Sequence, residues 1–111
     1  MGVFATGQVV IVHFPFFDLT ASKLRPAVVL AEAGRGDWIL CQITSKSYGD
    51  LHGIQLAATD FEKGSLRLTS FARPGKLFTA HANLVSETIG NLCPEKFSFI
   101  RDAVVKMILK G

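Results

Sequence analysis

A mainly β protein, a small twisted sheet or barrel with one helix packed on it, is the fold this chain predicts. Three observations point there. Short apolar runs rich in Val and Ile recur between Gln8 and Leu92, separated by Gly, Pro, Asp and Ser. A glycine-flanked turn, Gly34-Arg35-Gly36-Asp37, joins two of those runs. Helical spacing of apolar residues begins only at Pro94.

Taken in order, Gln8 to Phe14 reads as a strand buried on nearly both faces, because only Gln8 and His13 interrupt its apolar run. Pro15 lacks a backbone donor and stops the ladder. Residues Phe16 to Arg25 read as a loop, with Asp18, Thr20, Ser22 and Lys23 as turn formers. Pro26 suits a strand's first position, and Ala27 to Ala31 continues as the second strand. The turn then leads into Trp38 to Thr44. A loop at Ser47-Tyr48-Gly49-Asp50 precedes a short strand over Gly53 to Ala57, and Asp60 to Gly64 reads as a turn. Leu68 to Phe71 and Leu77 to Thr79 read as separate strands, broken by Pro74-Gly75, and Ser86 to Leu92 adds one more. In the last segment Pro94 suits the first helical position and Glu95 complements the positive end of the helix dipole. Phe97, Ile100, Val104, Met107 and Ile108 form its apolar stripe, while Cys93 is a weak N-cap.

The length of 111 residues fits a single domain over 1–111, and no repeat or linker divides it. A hydrophobic fraction of 49% with 19% charged residues excludes a disordered chain. No apolar run approaches the roughly 20 residues that cross a bilayer. The opening Met1-Gly2-Val3-Phe4-Ala5 has neither a charged region nor a cleavage pattern, so a cytoplasmic protein without membrane association is expected. Cys41 and Cys93 lie in apolar surroundings at no metal-ligand spacing and read as two buried free thiols.

The net charge of +3 is mild, so its distribution carries the information. Lys63, Arg67, Arg73 and Lys76 occur with no acid between them, Lys23 and Arg25 form a second cluster, and Lys46 follows the hydroxyl pair Thr44-Ser45. A fold that joins these places makes a cationic face for phosphates; one that scatters them leaves a solvated surface. Arg25 stands at the entrance of one strand and Thr44 at the end of another. A planar guanidinium facing a hydroxyl can grip a phosphodiester. From the residues alone, the reading of Arg25 as a loop cation paired with Asp18 is favoured, and Thr44 reads as an ordinary β-branched strand residue.

Gly7-Gln8-Val9-Val10-Ile11-Val12, Phe14-Pro15-Phe16 and Ser22-Lys23-Leu24-Arg25-Pro26-Ala27-Val28-Val29-Leu30 together resemble the opening of the MazF/PemK (Kid) toxin family. Gln42-Ile43-Thr44-Ser45 looks like that family's next signature, and Ile89-Gly90-Asn91-Leu92 resembles its final strand. The resemblance implies an SH3-like small β-barrel of the MazF/Kid/CcdB type with a C-terminal helix, usually a homodimer. It implies a metal-independent, cofactor-free endoribonuclease that cleaves single-stranded RNA and is held inactive by a cognate antitoxin. Arg25 then matches the catalytic Arg-Pro position and Thr44 the catalytic hydroxyl. The chain departs from the pattern at Ser70-Phe71-Ala72, where several members carry an acidic residue, and in the loop between the first two strands.

Under that reading Arg25 stabilises charge on the phosphorane and Thr44 fixes a phosphate oxygen. His52, in the loop after the hydroxyl pair, is the candidate acid or base; His13 reads as structural and His81 as a loop residue without an evident partner. Ser22, Lys23, Ser45, Lys46, Arg73 and Lys76 are the candidate RNA contacts, with Phe16, Phe17, Tyr48 and Phe71 as possible stacking faces. Two rival readings remain at this level. One is a catalytically degenerate module that binds RNA or an antitoxin without cutting. The other is a toxin that acts on a protein target.

Overall fold

The structure is a computed structural model that describes residues 4–15, 22–46 and 49–111. Among these residues seven strands form one antiparallel sheet: β1 (Gln8–Pro15), β2 (Ser22–Gly34), β3 (Asp37–Thr44), β4 (Ile54–Leu56), β5 (Phe61–Gly64), β6 (Ser70–His81) and β7 (Val85–Leu92). An α-helix, α1 (Pro94–Lys110), follows. The strand order is β4-β6-β3-β2-β1-β7-β5. The two edge strands are joined through only the short 3₁₀ turn Ala58–Asp60. Were the sheet flat, its edges would lie about 29 Å apart, whereas the chain from Leu56 to Phe61 reaches at most about 17 Å. The sheet must therefore curl. The rings of Phe14 on β1 and Phe78 on β6 meet with centroids 4.7 Å apart, although two strands separate them in the ladder.

Curling buries both faces, which is why the apolar runs are continuous in places rather than strictly alternating. One core joins Val9, Val28, Cys41, Ile43, Ile54, Leu56 and Ala72 to Ile100 of the helix. The other joins Val10, Val12, Ala27, Val29, Trp38 and Leu40 on the opposite face. The expected double burial of β1 holds for Val9, Val10 and Val12; Ile11 is half-buried and His13 exposed.

Three elements differ from the sequence expectation. First, β2 begins at Ser22, so Lys23, Leu24, Arg25 and Pro26 are strand residues, paired to β1 through Val12↔Arg25 and Ile11↔Pro26. The β3 ladder starts only at Ala27↔Gln42. On that side β2 is an edge up to Pro26, where the missing N–H costs no ladder bond. Second, β6 runs through Pro74-Gly75 instead of breaking there. Between the pairs Ile43↔Ala72 and Cys41↔Leu77, β3 advances two residues and β6 five, a bulge that absorbs the proline. Gly75 lies beneath the helix, where an added Cβ would stand 3.4 Å from Met107 Sδ. Third, Phe61–Gly64 is a strand against β7 rather than part of a turn; the turn is Ala58–Asp60.

The hairpin between β2 and β3 is as expected. Arg35 (φ 56°) and Gly36 (φ 82°) are its central residues, the left-handed pair of a type I′ turn. In α1, Ile100 and Val104 are buried, with Phe97 and Ala103 packed beside them. Ile108, expected in the stripe, is 67% exposed because the last turn runs past the buried face. Pro94 is at the helix start, and Cys93 makes no side-chain cap bond, as its weak capping chemistry suggests.

Candidate functional site

The register of β2 against β3 runs Ala27↔Gln42, Val28↔Cys41, Val29↔Leu40. Continued two steps beyond the last pair, it sets Arg25 opposite Thr44. Residues opposite one another in an antiparallel pair share a face. Thr44 is in turn paired with Phe71 of β6, Phe71 with Gln55 of β4, and Arg25 with Val12 of β1. Gln55, Phe71 and Thr44 thus form one paired row over β4, β6 and β3, and Arg25 and Val12 another over β2 and β1.

Thr44 is 5% exposed, and Arg25 is half-buried with its Nε atom inaccessible to solvent. Thr44 Oγ1 accepts a hydrogen bond from the Lys46 N–H at 3.2 Å. With one lone pair so engaged, the hydroxyl proton remains for donation elsewhere, and a phosphate oxygen is a fitting acceptor.

Because β2 and β3 are antiparallel, the start of one and the end of the other meet at one end of the sheet. Ser22, Lys23, Arg25, Thr44, Ser45 and Lys46 gather there. Lys23, Ser45 and Lys46 are exposed, as a phosphate contact requires. Ser22 is described only by its backbone place at the start of β2. Lys76 is exposed but belongs to the bulged middle of β6, beside the Cys41↔Leu77 pair. Lys63 lies on β5, laddered to β7, and so does not join this end through β2, β3 or β6. Phe16, Phe17, Asp18, Thr20, Ser47 and Tyr48 lie outside the described residues, and with them the Arg25–Asp18 alternative.

Arg73 has a partner the sequence did not reveal. Its Nε donates to Asp50 Oδ2 at 2.9 Å, with side chains only 20% and 16% exposed. The Asp50 carboxylate also accepts the His52 N–H at 2.9 Å, and its carbonyl accepts the Gly53 N–H at 3.2 Å. The Arg73 hydrogen bond, then that of His52, hold the Asp50 carboxyl below the usual carboxylate range. The Arg73 carbonyl accepts from Cys41 Sγ at 3.2 Å, and burial pushes the Cys41 thiol up to about 12, so it stays protonated and donating. His52 is exposed in this Asp50-anchored loop. Asp50 was legible only as a loop residue next to Gly49, and nothing local in the sequence signals a partner 23 positions away.

The remaining candidates resolve simply. Cys41 is a buried free thiol as expected, whereas Cys93 is only partly buried. His81 closes β6 and accepts the Asn83 N–H at its Nδ1, 3.1 Å away, so it has a local partner after all. Among the described residues no cluster of three His, Cys, Asp or Glu side chains is placed to hold a metal ion. Among them, too, no helix is long and apolar enough to cross a membrane.

A family model described as "PemK-like, MazF-like toxin of type II toxin-antitoxin system" matches residues 5–108. The chain belongs to that family. No curated protein matches it in sequence. Among solved structures, MazE–MazF from Deinococcus radiodurans (form II) is 16% identical over 100% of both chains, with a TM-score of 0.78. The Mycobacterium tuberculosis toxin MazF-mt6 is 15% identical, covers 91% of this chain and 95% of its own, and has a TM-score of 0.70. An endoribonuclease in complex with its cognate antitoxin, from a mycobacterial species, is 13% identical over 97% and 95% of the two chains, with a TM-score of 0.71. At such identities these likenesses speak to fold, and they agree with a curled β sheet carrying a C-terminal helix.

Proposed function

We propose that this MazF-like toxin is an endoribonuclease that cuts single-stranded RNA without a metal ion, using Arg25 and Thr44. The observation that carries the reading is the antiparallel pairing of β2 with β3, which brings the β2 start that holds Arg25 and the β3 end that holds Thr44 to one end of the sheet, in a chain of the toxin family. In the reaction the ribose 2′-oxygen attacks its own phosphorus. The 2′-O–P bond forms as the P–O5′ bond breaks, leaving a 2′,3′-cyclic phosphate and a 5′-hydroxyl. Charge builds on the non-bridging oxygens. The Arg25 guanidinium offsets it, a contribution of about 2–4 kcal/mol for a preorganised donor. The Thr44 hydroxyl donates to one of those oxygens and fixes the angle of attack.

The 2′-hydroxyl must lose a proton and the 5′-oxygen must gain one. His52 is the side chain proposed for one of these transfers, since it is exposed in the loop that follows Thr44. Lys23, Ser45, Lys46 and Lys76, with Ser22, are the proposed contacts to flanking phosphates, and Phe71 a stacking face beside Thr44. The partners of the proposal are RNA, a second copy of the chain in a homodimer, and a cognate antitoxin, as accompanies the mycobacterial and Deinococcus neighbours. A cytoplasmic site of action follows from that substrate. Incubation of the purified protein with single-stranded RNA in EDTA, beside Arg25→Ala, tests the reading. Binding without cleavage would move the protein to the degenerate class.

A further inference from the structure

We propose that the Asp50–Arg73 ion pair is a positioning device that holds the Thr44 hydroxyl and its following loop in the geometry the nuclease reaction needs. The inference rests on the nuclease reading for its functional consequence and on contacts outside the Arg25–Thr44 pair for its evidence. Residues 45–53 form the segment that connects β3 to β4. Asp50 ties its middle to β6 through Arg73. β6 is also the strand that holds Thr44, through Thr44↔Phe71 and Ile43↔Ala72. The tether and the hydroxyl therefore share one rigid support.

Arg73 is itself fixed from two directions. Its carbonyl receives the Cys41 S–H, and Cys41 lies three residues before Thr44 on β3. Its side chain emerges from the β6 bulge next to Pro74, which is fully buried. Asp50 divides its oxygens between the two parts it joins: Oδ2 takes the Arg73 Nε, and Oδ1 takes the N–H of His52 in the loop. A carboxylate with one oxygen on the strand and the other on the loop transmits position from one to the other. At the near end of the loop the Lys46 N–H holds Thr44 Oγ1. Lys46 and His52 are thus the loop's contacts to its two anchors. On this reading Arg73 acts on the RNA through Asp50 and the loop, in place of the direct phosphate contact expected from sequence.

The test uses Asp50→Asn, which keeps side-chain shape and an acceptor for the His52 N–H, and Arg73→Gln. Two readouts are taken in the full-length protein. The first is hydrogen exchange at the Lys46 amide, with the Ile100 and Val104 amides as internal references for the global fold. Positioning predicts exchange at Lys46 faster by about tenfold or more in both variants, with the references unchanged. The second is steady-state RNA cleavage, where positioning predicts kcat lower by roughly tenfold to a hundredfold and KM within about twofold in both. Unchanged Lys46 exchange in both variants overturns the proposal. So does a raised KM confined to Arg73→Gln, which marks a direct phosphate contact instead. A wild-type chain that fails to cut RNA sinks the nuclease reading, and the exchange result then judges the tether by itself.

Discussion

Replacing Thr44 by Val separates what this residue does for the fold from what it does for the chemistry. The side chains are nearly isosteric, so the 5%-exposed site stays filled and only the hydroxyl is lost. For the fold, one hydrogen bond disappears, that from the Lys46 N–H at 3.2 Å. Lys46 is exposed, so its amide turns to water, and the net cost is about 1 kcal/mol or less. Against a typical domain stability of about 5–15 kcal/mol, the folded fraction barely changes. For the chemistry, a donor aimed at the developing charge is removed, and such a loss costs about 2.7–4 kcal/mol, a fall of about 10²–10³ in kcat. Single-turnover cleavage with enzyme in excess, beside a urea melt, reads both. Thr44→Ser keeps the hydroxyl but frees its χ1 and should fall between the two. A Thr44→Val enzyme within about threefold of wild type, with an unchanged melt, refutes the assigned role.

Other consequences can be measured directly. Burial pushes the Cys41 thiol up to about 12, so a thiol reagent at about pH 8 should label the partly buried Cys93 and leave Cys41 unmodified until the protein unfolds. The lowered Asp50 carboxyl stabilises the fold above its unfolded value of about 4, and that share disappears as pH falls through the folded value. The stability gap between wild type and Asp50→Asn, read by denaturant melts, should therefore close as the pH falls below the unfolded value of about 4 and through the lowered folded one. Ile100 is fully buried between helix and sheet, and Ile100→Ala should lower unfolding free energy by about 2–5 kcal/mol through the cavity it leaves.

What was readable in the sequence divides along a physical line. Strand existence, the Arg35-Gly36 turn and the start of α1 follow from local rules, namely apolar runs, positive φ at glycine-rich turns and proline at the first helical position. The prolines misled because their effect depends on neighbours. Pro26 sits in a strand that is an edge on one side only, and Pro74 in a bulge that the five-for-two step of β6 against β3 makes room for. Neither condition is local. Arg25 and Thr44 stood out as a cation and a hydroxyl at strand ends, yet only the antiparallel pairing of β2 with β3 brings those two ends together. Asp50 and Arg73 were seen singly, one as a loop residue and one as a phosphate contact. Their pairing needed the fold to bring the loop after β3 against β6. Cys93 escaped full burial because it stands at the helix entrance and not within a strand.

The most direct measurement is the end group left on single-stranded RNA by the purified protein in EDTA, with Arg25→Ala alongside. A 2′,3′-cyclic phosphate that appears with the wild type and is lost with the variant is the predicted result. RNA that stays intact with the wild type, or is cut equally well by Arg25→Ala, contradicts the account at its centre.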